Sequence, residues 1–413
     1  MNRLILAWMI SACAAAHGET IRAAVFEADV TPPIGSALGG GIVPPAVAVD
    51  DPLGARGIVL WPGDQRPIVL CAVDWIGIAN DGHREWREAI AQAAQTSGDR
   101  VAVHALHQHD APEYDPTTER LLREAGLGGK LYDAEFMTRA LQRVASAVEE
   151  SERSAVEVTH ISFGMGEVRE VASNRRILGS DGKVAATRWT ATTDPEVRAM
   201  PVGTIDPMAR VVGLWHDEQL VATLSYYATH PQSSYGNGRV SADFVGMARE
   251  QFRESLGGAK AIHFNGAGGN IGAGKWNDGS IENRPVLARK LTDGFSAAWK
   301  ASRKMPIASA GIEWRTIGVT LPFRIEVDAA HERSVLHDAN APESERIRAA
   351  HELAWMENPR DGPETLLSVL RLGPVRILHM PGELFVEYQL AAQELAKDAF
   401  VCMAAYGDYG PGY

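Results

Sequence analysis

Hydrophobic and polar residues in the first part of this chain alternate with two different periods. Residues 55–61 and 67–75 are apolar, β-rich runs separated by Pro-Gly-Asp, which is typical of a hairpin. Residues 82–95 place apolar side chains at helical spacing, and residues 101–107 form another apolar run that ends in histidine. A strand, a helix and a strand in that order indicate an α/β fold.

The same alternation continues toward residue 413, and no low-complexity linker interrupts it. The pattern predicts helices over 133–150, 244–255, 285–301 and 343–356, and another after residue 383. It predicts strands over 155–163, 211–215, 220–230 and 259–264, within 307–327 and 366–379, and over 400–406. We therefore predict one large α/β domain, a mixed sheet with flanking helices, over residues 19–413.

The start of the chain and its cysteines indicate the cellular compartment and the state of the thiols. Residues 1–18 combine a basic start with a short apolar stretch, which predicts a signal peptide and a secreted, periplasmic or cell-envelope protein. Cys13 stands in a lipobox-like sequence, which predicts an alternative lipidated N-terminus. Cys71 and Cys402 lie in separate apolar runs, so we expect two buried free thiols.

The formal net charge of −12 disfavours attraction to nucleic acid or to an anionic membrane surface. It leaves peripheral membrane contact open, and no protein partner is predicted.

Histidines collect where the apolar run 101–107 ends, in the sequence His107-Gln108-His109 before Pro112. In an extended strand, alternate side chains share a face, so both imidazoles are expected to point the same way. Zn²⁺ favours nitrogen ligands, and this pair supplies half of a zinc site. The alternative is a hydrogen-bonded or surface pair of histidines without a metal.

Two further candidate metal ligands also follow predicted strands. His230 ends the apolar run 220–230 and precedes a proline, and Glu383 lies between a strand and a helix. Ligands of α/β sheets bind at the carboxyl ends of the strands, so these side chains are predicted to converge with His107. A core histidine and a carboxylate that favours a helix N-terminus are the alternatives.

A glycine-rich loop, residues 266–274, follows the predicted strand 259–264. Its spacing departs from a dinucleotide fingerprint, which leaves two main interpretations. Backbone amides near Asn270 stabilise an oxyanion, or the loop is a tight structural turn.

Taken together, the motifs resemble the catalytic domain of neutral (non-lysosomal) ceramidases over residues 23–413. The resemblance rests on their joint order: Asp29-Val30-Thr31-Pro32-Pro33, His107-Gln108-His109-Asp110-Ala111-Pro112, Asn174-Arg175, His230-Pro231, Ser241-Ala242-Asp243, the loop at Asn270, Pro381-Gly382-Glu383 and the terminal tyrosine loop.

The resemblance implies that Zn²⁺ is bound by His107, His230, Glu383 and a tyrosine. By the family's Tyr-x-x-Tyr pattern the tyrosine is Tyr413, although an extra residue leaves Tyr409 as the alternative. The same comparison places His109 and Arg175 beside the metal, in contact with the substrate and with the developing negative charge.

The chain departs from the family in two places. The serine of the family's Asn-x-Ser-Pro falls on Gly272, so no hydroxyl nucleophile stands there, and Asp110-Ala111-Pro112 replaces Ser-Gly-Pro. We also expect the C-terminal immunoglobulin-like domain of the family to be absent.

The resulting hypothesis is a zinc-dependent amidohydrolase that cleaves an N-acyl amide such as ceramide with a metal-activated water. Its predicted catalytic residues are His109 for proton transfer and Arg175 and Asn270 for the oxyanion, while Asp243 orients a metal-bound imidazole. The competing hypotheses are a non-catalytic envelope protein that binds a lipid or a metal, and a metal-independent esterase that uses Ser233, Ser234 or Ser241.

Overall fold

A computed structural model describes residues 20–322, 327–357 and 365–412. Within these ranges the strands are β1 (Ile21–Asp29), β2 (Ala48–Val49), β3 (Gly54–Pro62), β4 (Ile68–Val73), β5 (Gly77–Ile78), β6 (Val101–Ala105), β7 (Glu113–Tyr114), β8 (Val156–Glu157), β9 (His160–Glu167), β10 (Ser173–Asn174), β11 (Arg176–Leu178), β12 (Val184–Thr187), β13 (Met208–His216), β14 (Gln219–Tyr227), β15 (Arg239–Val240), β16 (Lys260–Asn265), β17 (Ile271–Gly272), β18 (Arg303–Pro306), β19 (Ile312–Val319), β20 (Thr365–Leu372), β21 (Val375–His379) and β22 (Phe400–Ala404). The helices are α1 (Asn80–Ala93), α2 (Pro116–Glu124), α3 (Ala134–Ser151), α4 (Pro195–Ala199), α5 (Asp243–Ser255), α6 (Arg284–Lys300), α7 (Ala329–His337), α8 (Glu343–Glu357) and α9 (Val386–Leu395).

The larger sheets of the described residues share one topological feature. Their strand orders are β6-β4-β3-β1-β8, β16-β14-β13-β9-β18 and β19-β20-β21-β22. Neighbouring strands are antiparallel in each sheet except for one edge pair, which is β4 with β6, β14 with β16, and β21 with β22. Each parallel pair directs two carboxyl ends to the same edge of its sheet, and the loops that leave these edges carry the predicted site residues.

The first sheet is covered on both faces, which explains the unbroken apolar run of β4. Leu70 faces a core shared with the second sheet and with α5 and α6, whereas Val69 and Cys71 face a second core formed with α1 and α3. A strand buried on both faces reads as continuously hydrophobic rather than alternating. The layers are therefore helices, sheet, sheet and helices.

The parallel edges are joined by Asn265, the last residue of β16. Its backbone N–H donates to His104 Nε2 at 3.0 Å, and its carbonyl accepts from the Ala405 N–H at 3.0 Å. The Asn265 side chain donates to Leu106 O at 2.5 Å. Asn265 thus connects the ends of β6 and β22 and holds the loops that follow them next to each other.

The predicted fold class is confirmed, because the chain forms mixed sheets with flanking helices in one α/β domain. The hairpin of β3 and β4 lies where it was predicted, and the predicted strands 211–215 and 220–230 form the pair of β13 and β14. Cys71 and Cys402 are buried free thiols on β4 and β22, as expected. Among the described residues, no helix combines the length and apolar character that crossing a membrane requires.

Residues 1–18, with the predicted signal peptide and Cys13, lie outside the described ranges, as does Tyr413. The prediction that His107 and His109 belong to an extended strand is wrong. β6 ends at Ala105, and His107 has φ +69°, in the left-handed region. This conformation costs a non-glycine residue about 1–3 kcal/mol and is concentrated at functional sites.

Candidate metal and catalytic centre

Three predicted ligands meet where the three sheets converge. His107 Nε2 lies 3.4 Å and His230 Nε2 lies 3.2 Å from the same atom, Glu383 Oε2. All three residues are at least 96% buried, with exposed fractions of 2%, 2% and 4%. Two ligands of a tetrahedral zinc ion, each about 2.0–2.2 Å from the metal, lie about 3.3–3.6 Å apart, so these separations suit one shared ion. We name these three residues the imidazole–carboxylate centre.

Backbone carbonyls fix the orientation of both imidazoles. His107 Nδ1–H donates to Ile76 O at 2.8 Å, and His230 Nδ1–H donates to Gly268 O at 2.7 Å. Because each Nδ1 carries the proton, each Nε2 presents its lone pair toward Glu383. Metal-binding histidines are commonly held in this way by a carbonyl or a carboxylate on the other ring nitrogen.

The charges at the centre also indicate a metal site. Burial lowers the pKa of His230 below its ordinary value, so the ring is neutral. Burial opposes ionisation of the Glu383 carboxyl, and the imidazole lone pairs that face it supply no compensating positive charge. Glu383 Oε2 accepts no hydrogen bond from the described residues. A buried anionic oxygen facing two lone pairs is stabilised by a cation, so the residues present fit a divalent metal ion.

The terminal loop brings one tyrosine to this centre. The Tyr409 hydroxyl donates to Glu383 Oε1 at 2.7 Å, and its ring lies 5.2 Å from that of His107. Tyr406 stacks on His107 with a centroid distance of 4.8 Å. Of the two predicted candidates for the fourth ligand, Tyr409 is therefore next to the centre, while Tyr413 lies outside the described residues.

His109 lies beside the centre, and its ligand-type nitrogen lies within 4.8 Å of those of His107 and His230. Its Nδ1–H donates to His107 O at 3.0 Å, and its Nε2 accepts from the side-chain amide of Gln232. Burial lowers its pKa well below the ordinary value, and His107 and His230 add to this effect, so the ring is neutral. His109 is thus a proton acceptor within 5.7 Å, ring to ring, of His230. Gln232 was not predicted from the sequence.

Arg175 and Asn270 occupy different positions around the glycine-rich loop. Arg175 donates to Gly269 O at 3.2 Å, and its guanidinium lies 5.5 Å from the centre of the Trp189 ring. Its charge also acts to lower the pKa of His230, which places it close to the centre. The Asn270 side chain is engaged elsewhere: its Oδ1 accepts from the Val386 N–H at 2.9 Å, at the start of α9.

The glycine-rich loop is built for close backbone contact. A Cβ atom at Gly269 would lie 2.1 Å from Glu383 O, so only glycine allows this part of the loop to pack against the loop of Glu383. Gly272 differs, because a Cβ atom there would meet only Arg175 Cγ, at 3.9 Å. Close packing at Gly269 therefore joins the glycine-rich loop to the loop of Glu383.

The prediction that Asp243 orients a metal-binding imidazole is wrong. Its carboxylate accepts from the Ser233 N–H at 2.9 Å and the Ser233 hydroxyl at 2.6 Å, and the imidazoles use carbonyls instead. These bonds also weigh against the serine esterase hypothesis, because Ser233 donates to a carboxylate and Ser241 donates to Asp51. In the described part of the chain, neither hydroxyl is hydrogen-bonded to a histidine.

Two cavities meet at Glu383. One, of about 530 Å³ among the described residues, has mainly apolar walls that include Leu367, Met380, Leu384, Phe385 and Tyr388. The other, of about 280 Å³, is bordered by Tyr409 and by the side chains of Glu113, Asp115 and His351. We name them the apolar cavity and the acidic cavity.

Comparison with known proteins reveals similarity in structure. No protein-family model and no curated protein sequence matches the chain. A solved structure described as a ceramidase complexed with C2 matches with a TM-score of 0.66 and 16% identity, over 94% of this chain and 69% of that one. Neutral ceramidase from Pseudomonas aeruginosa matches with a TM-score of 0.62 and 14% identity, over 94% and 68%. The predicted resemblance to neutral ceramidases is confirmed for the fold.

Proposed function

We propose that the chain is a zinc-dependent amidohydrolase that cleaves an N-acyl lipid amide into a carboxylic acid and an amine. The observation that carries this proposal is the convergence of two oriented imidazole lone pairs on a buried carboxylate oxygen. The fold shared with ceramidases supports amide hydrolysis, and ceramide is one candidate substrate. Export to the cell envelope belongs to the same proposal and rests on residues 1–18.

His107, His230 and Glu383 would hold the metal ion, and the Tyr409 hydroxyl orients the carboxylate through its hydrogen bond to Oε1. When bound, Zn²⁺ polarises a carbonyl oxygen and lowers the pKa of water. The ligand types support zinc, since imidazole nitrogens with one carboxylate are a common set for catalytic zinc.

The neighbouring residues handle protons and charge. His109 is neutral, so its Nε2, when it exchanges the Gln232 amide for a water molecule, takes a proton from that water and passes it to the nitrogen of the leaving amine. In the balanced reaction the C–N bond breaks, a C–O bond forms, and this proton ends on the amine. Arg175 supplies positive charge beside His230 for the oxygen of the tetrahedral species.

The apolar cavity supports an acylated substrate rather than a peptide. Its walls are leucine, methionine, proline and aromatic side chains, and it borders Glu383 directly. An alkyl chain placed there is removed from water, which contributes about 0.8 kcal/mol for each buried CH₂ group. The amide at the end of the chain then lies next to the imidazole–carboxylate centre.

Metal analysis combined with hydrolysis of a panel of N-acyl lipids tests the proposal. We expect one zinc ion per chain, release of fatty acid, and loss of both in the double variant His107→Ala/His230→Ala. A purified chain without bound metal, or hydrolysis that survives the double variant, contradicts the proposal. Gly272, which leaves no hydroxyl in the glycine-rich loop, favours one second candidate, a non-catalytic protein that binds lipid and metal. Retained binding without turnover identifies it.

A further inference from the structure

The acidic cavity contains a second group of ionisable residues that the proposed reaction does not use. Glu113, Asp115 and His351 present ligand-type atoms within 4.8 Å of one another. Glu113 and Asp115 lie in and directly after β7, and His351 comes from α8. The same cavity is bordered by Glu383 and Tyr409, so it leads from these residues to the metal centre.

Glu113 is fixed in this cavity by its surroundings. Its strand pairs with β5 in parallel, opposite Gly77, and its side chain is only 3% exposed. Gly40, with φ +65°, passes directly over the carboxylate, and a Cβ atom at this position would lie 2.3 Å from Glu113 Oε2. Because Gly40 also borders the acidic cavity, the missing side chain leaves room for a ligand beside this oxygen.

The other oxygen lacks a hydrogen-bond donor. Glu113 Oε1 accepts no hydrogen bond from the described residues, and His351 Nδ1 lies 3.5 Å away. Burial raises the pKa of Glu113, in the direction expected for a carboxyl group whose desolvation is incompletely compensated. Because Oε1 is closed off from the cavity, a ligand there reaches the carboxylate at Oε2.

Asp115 shows that the three residues are not a second metal site. Its Oδ1 accepts from the backbone N–H groups of Thr117 and Thr118, and its Oδ2 accepts from the Thr118 hydroxyl and the Asn80 amide. A carboxylate has about four lone-pair positions, and these four bonds use them. Glu113 is therefore the acceptor that the cavity offers to a ligand.

We infer that Glu113 selects the amine half of the substrate by accepting a hydrogen bond from a hydroxyl or amino group carried in addition to the amide nitrogen. The inference rests on the proposed function, which places the amide at the centre and the acyl chain in the apolar cavity. The amine half then extends into the acidic cavity. An N-acyl amino alcohol donates a hydrogen bond to Glu113 Oε2, whereas an N-acyl alkylamine leaves this oxygen without a donor.

A matched pair of amides tests this inference on the purified, zinc-loaded chain. The pair is an N-acylethanolamine and an N-acylethylamine with the same acyl chain, which differ by one hydroxyl group. The measured quantity is the ratio of their kcat/KM values or, if neither is hydrolysed, of their Kd values. A hydrogen bond to a charged group predicts a preference of roughly 10- to 100-fold for the hydroxyl compound.

Variants assign the preference to Glu113. Glu113→Leu is expected to bring the ratio to about one, because no acceptor remains, and Glu113→Gln to give an intermediate ratio. Glu343→Gln removes a carboxylate from the surface of α8, where its side chain is 49% exposed and paired with Lys130, and is expected to keep the wild-type ratio.

A wild-type ratio near one overturns the inference, and so does a preference that persists in Glu113→Leu. The wild-type comparison needs no variant, so a misfolded variant does not prevent a decision. If neither amide is hydrolysed but the Kd ratio shows the preference, the proposed function fails while Glu113 keeps its assigned role in recognition.

Discussion

Two groups of potential metal ligands lie near the same cavity, and they differ in where their protons are. In the imidazole–carboxylate centre, backbone carbonyls accept hydrogen bonds from the Nδ1–H groups of His107 and His230, so the Nε2 lone pairs face the Glu383 oxygen. In the acidic cavity, Asp115 has its lone pairs filled by amide and hydroxyl donors. The first group therefore fits a cation, and the second needs no metal.

The difference shows that the type and spacing of ligand residues do not define a metal site. Both groups combine carboxylate and imidazole, and both are largely buried. The partners on the far side of each ligand decide the chemistry, because they set the tautomer of an imidazole and the number of lone pairs left on a carboxylate. The following predictions separate the two groups.

The largest effect is expected from removing a ligand of the imidazole–carboxylate centre. His107→Ala eliminates one nitrogen donor, and loss of the metal removes several kcal/mol of transition-state stabilisation, or roughly a thousandfold in kcat/KM. Metal content by mass spectrometry and hydrolysis rates check this. His351→Ala is the matched control, and it is expected to leave the metal content at the wild-type level. Equal metal loss in both variants contradicts the distinction.

Within the acidic cavity, the two carboxylates are expected to behave in opposite ways. Asp115→Ala removes the N-terminal cap of α2 together with buried hydrogen bonds, so the free energy of unfolding is expected to fall by about 2–4 kcal/mol. Glu113→Leu puts an apolar side chain in place of a carboxylate whose Oε1 accepts no hydrogen bond. No loss in the free energy of unfolding is therefore expected. Urea denaturation measures both. A larger loss for Glu113→Leu than for Asp115→Ala contradicts this interpretation.

A smaller effect is expected when Tyr409 loses its hydroxyl. Tyr409→Phe removes the hydrogen bond to Glu383 Oε1, and loss of such a partner typically weakens metal affinity about 10- to 100-fold. Competition with a chelator of known affinity measures the change. Tyr114→Phe removes a tyrosine hydroxyl that donates to Glu85 instead, and serves as the control. Unchanged affinity in Tyr409→Phe assigns the tyrosine to packing alone.

The smallest effect is expected at the glycine that replaces the family serine. Gly272→Ser places its Cβ 3.9 Å from Arg175 Cγ, and we expect the free energy of unfolding to change by less than about 0.5 kcal/mol. Gly269→Ser is the control, because its Cβ would lie 2.1 Å from Glu383 O, and it is expected to destabilise the chain and weaken metal binding. Thermal unfolding with and without zinc compares the two. Equal destabilisation contradicts the account of the loop.

The sequence predicted the strand ends that supply His107, His230 and Glu383, because apolar runs followed by a polar residue and a proline or glycine mark such ends. The strand argument for His107 and His109 was wrong, since the left-handed backbone at His107 depends on contacts with residues about thirty positions away, such as Ile76. The roles of His109, Arg175, Asn270 and the metal ligands stay predictions.

Other features of the structure were only partly visible in the sequence, or not visible at all. Asp115-Pro116-Thr117-Thr118 is a helix start that the sequence shows, since a capping aspartate precedes a proline at the first helical position. The position of Glu113 in the acidic cavity was not visible in the sequence, because it depends on Gly40 and α8, which are distant in the chain. The carbonyls of Ile76 and Gly268 have no side-chain signature at all.

Anomalous diffraction at the zinc edge, from crystals of the zinc-loaded chain, tests directly whether His107, His230 and Glu383 bind the metal ion. We expect a single strong anomalous peak in each chain, between His107 Nε2, His230 Nε2 and Glu383 Oε2, and no peak beside Glu113 and His351. A chain without a peak between these three atoms, or with its peak beside Glu113 and His351, contradicts this expectation.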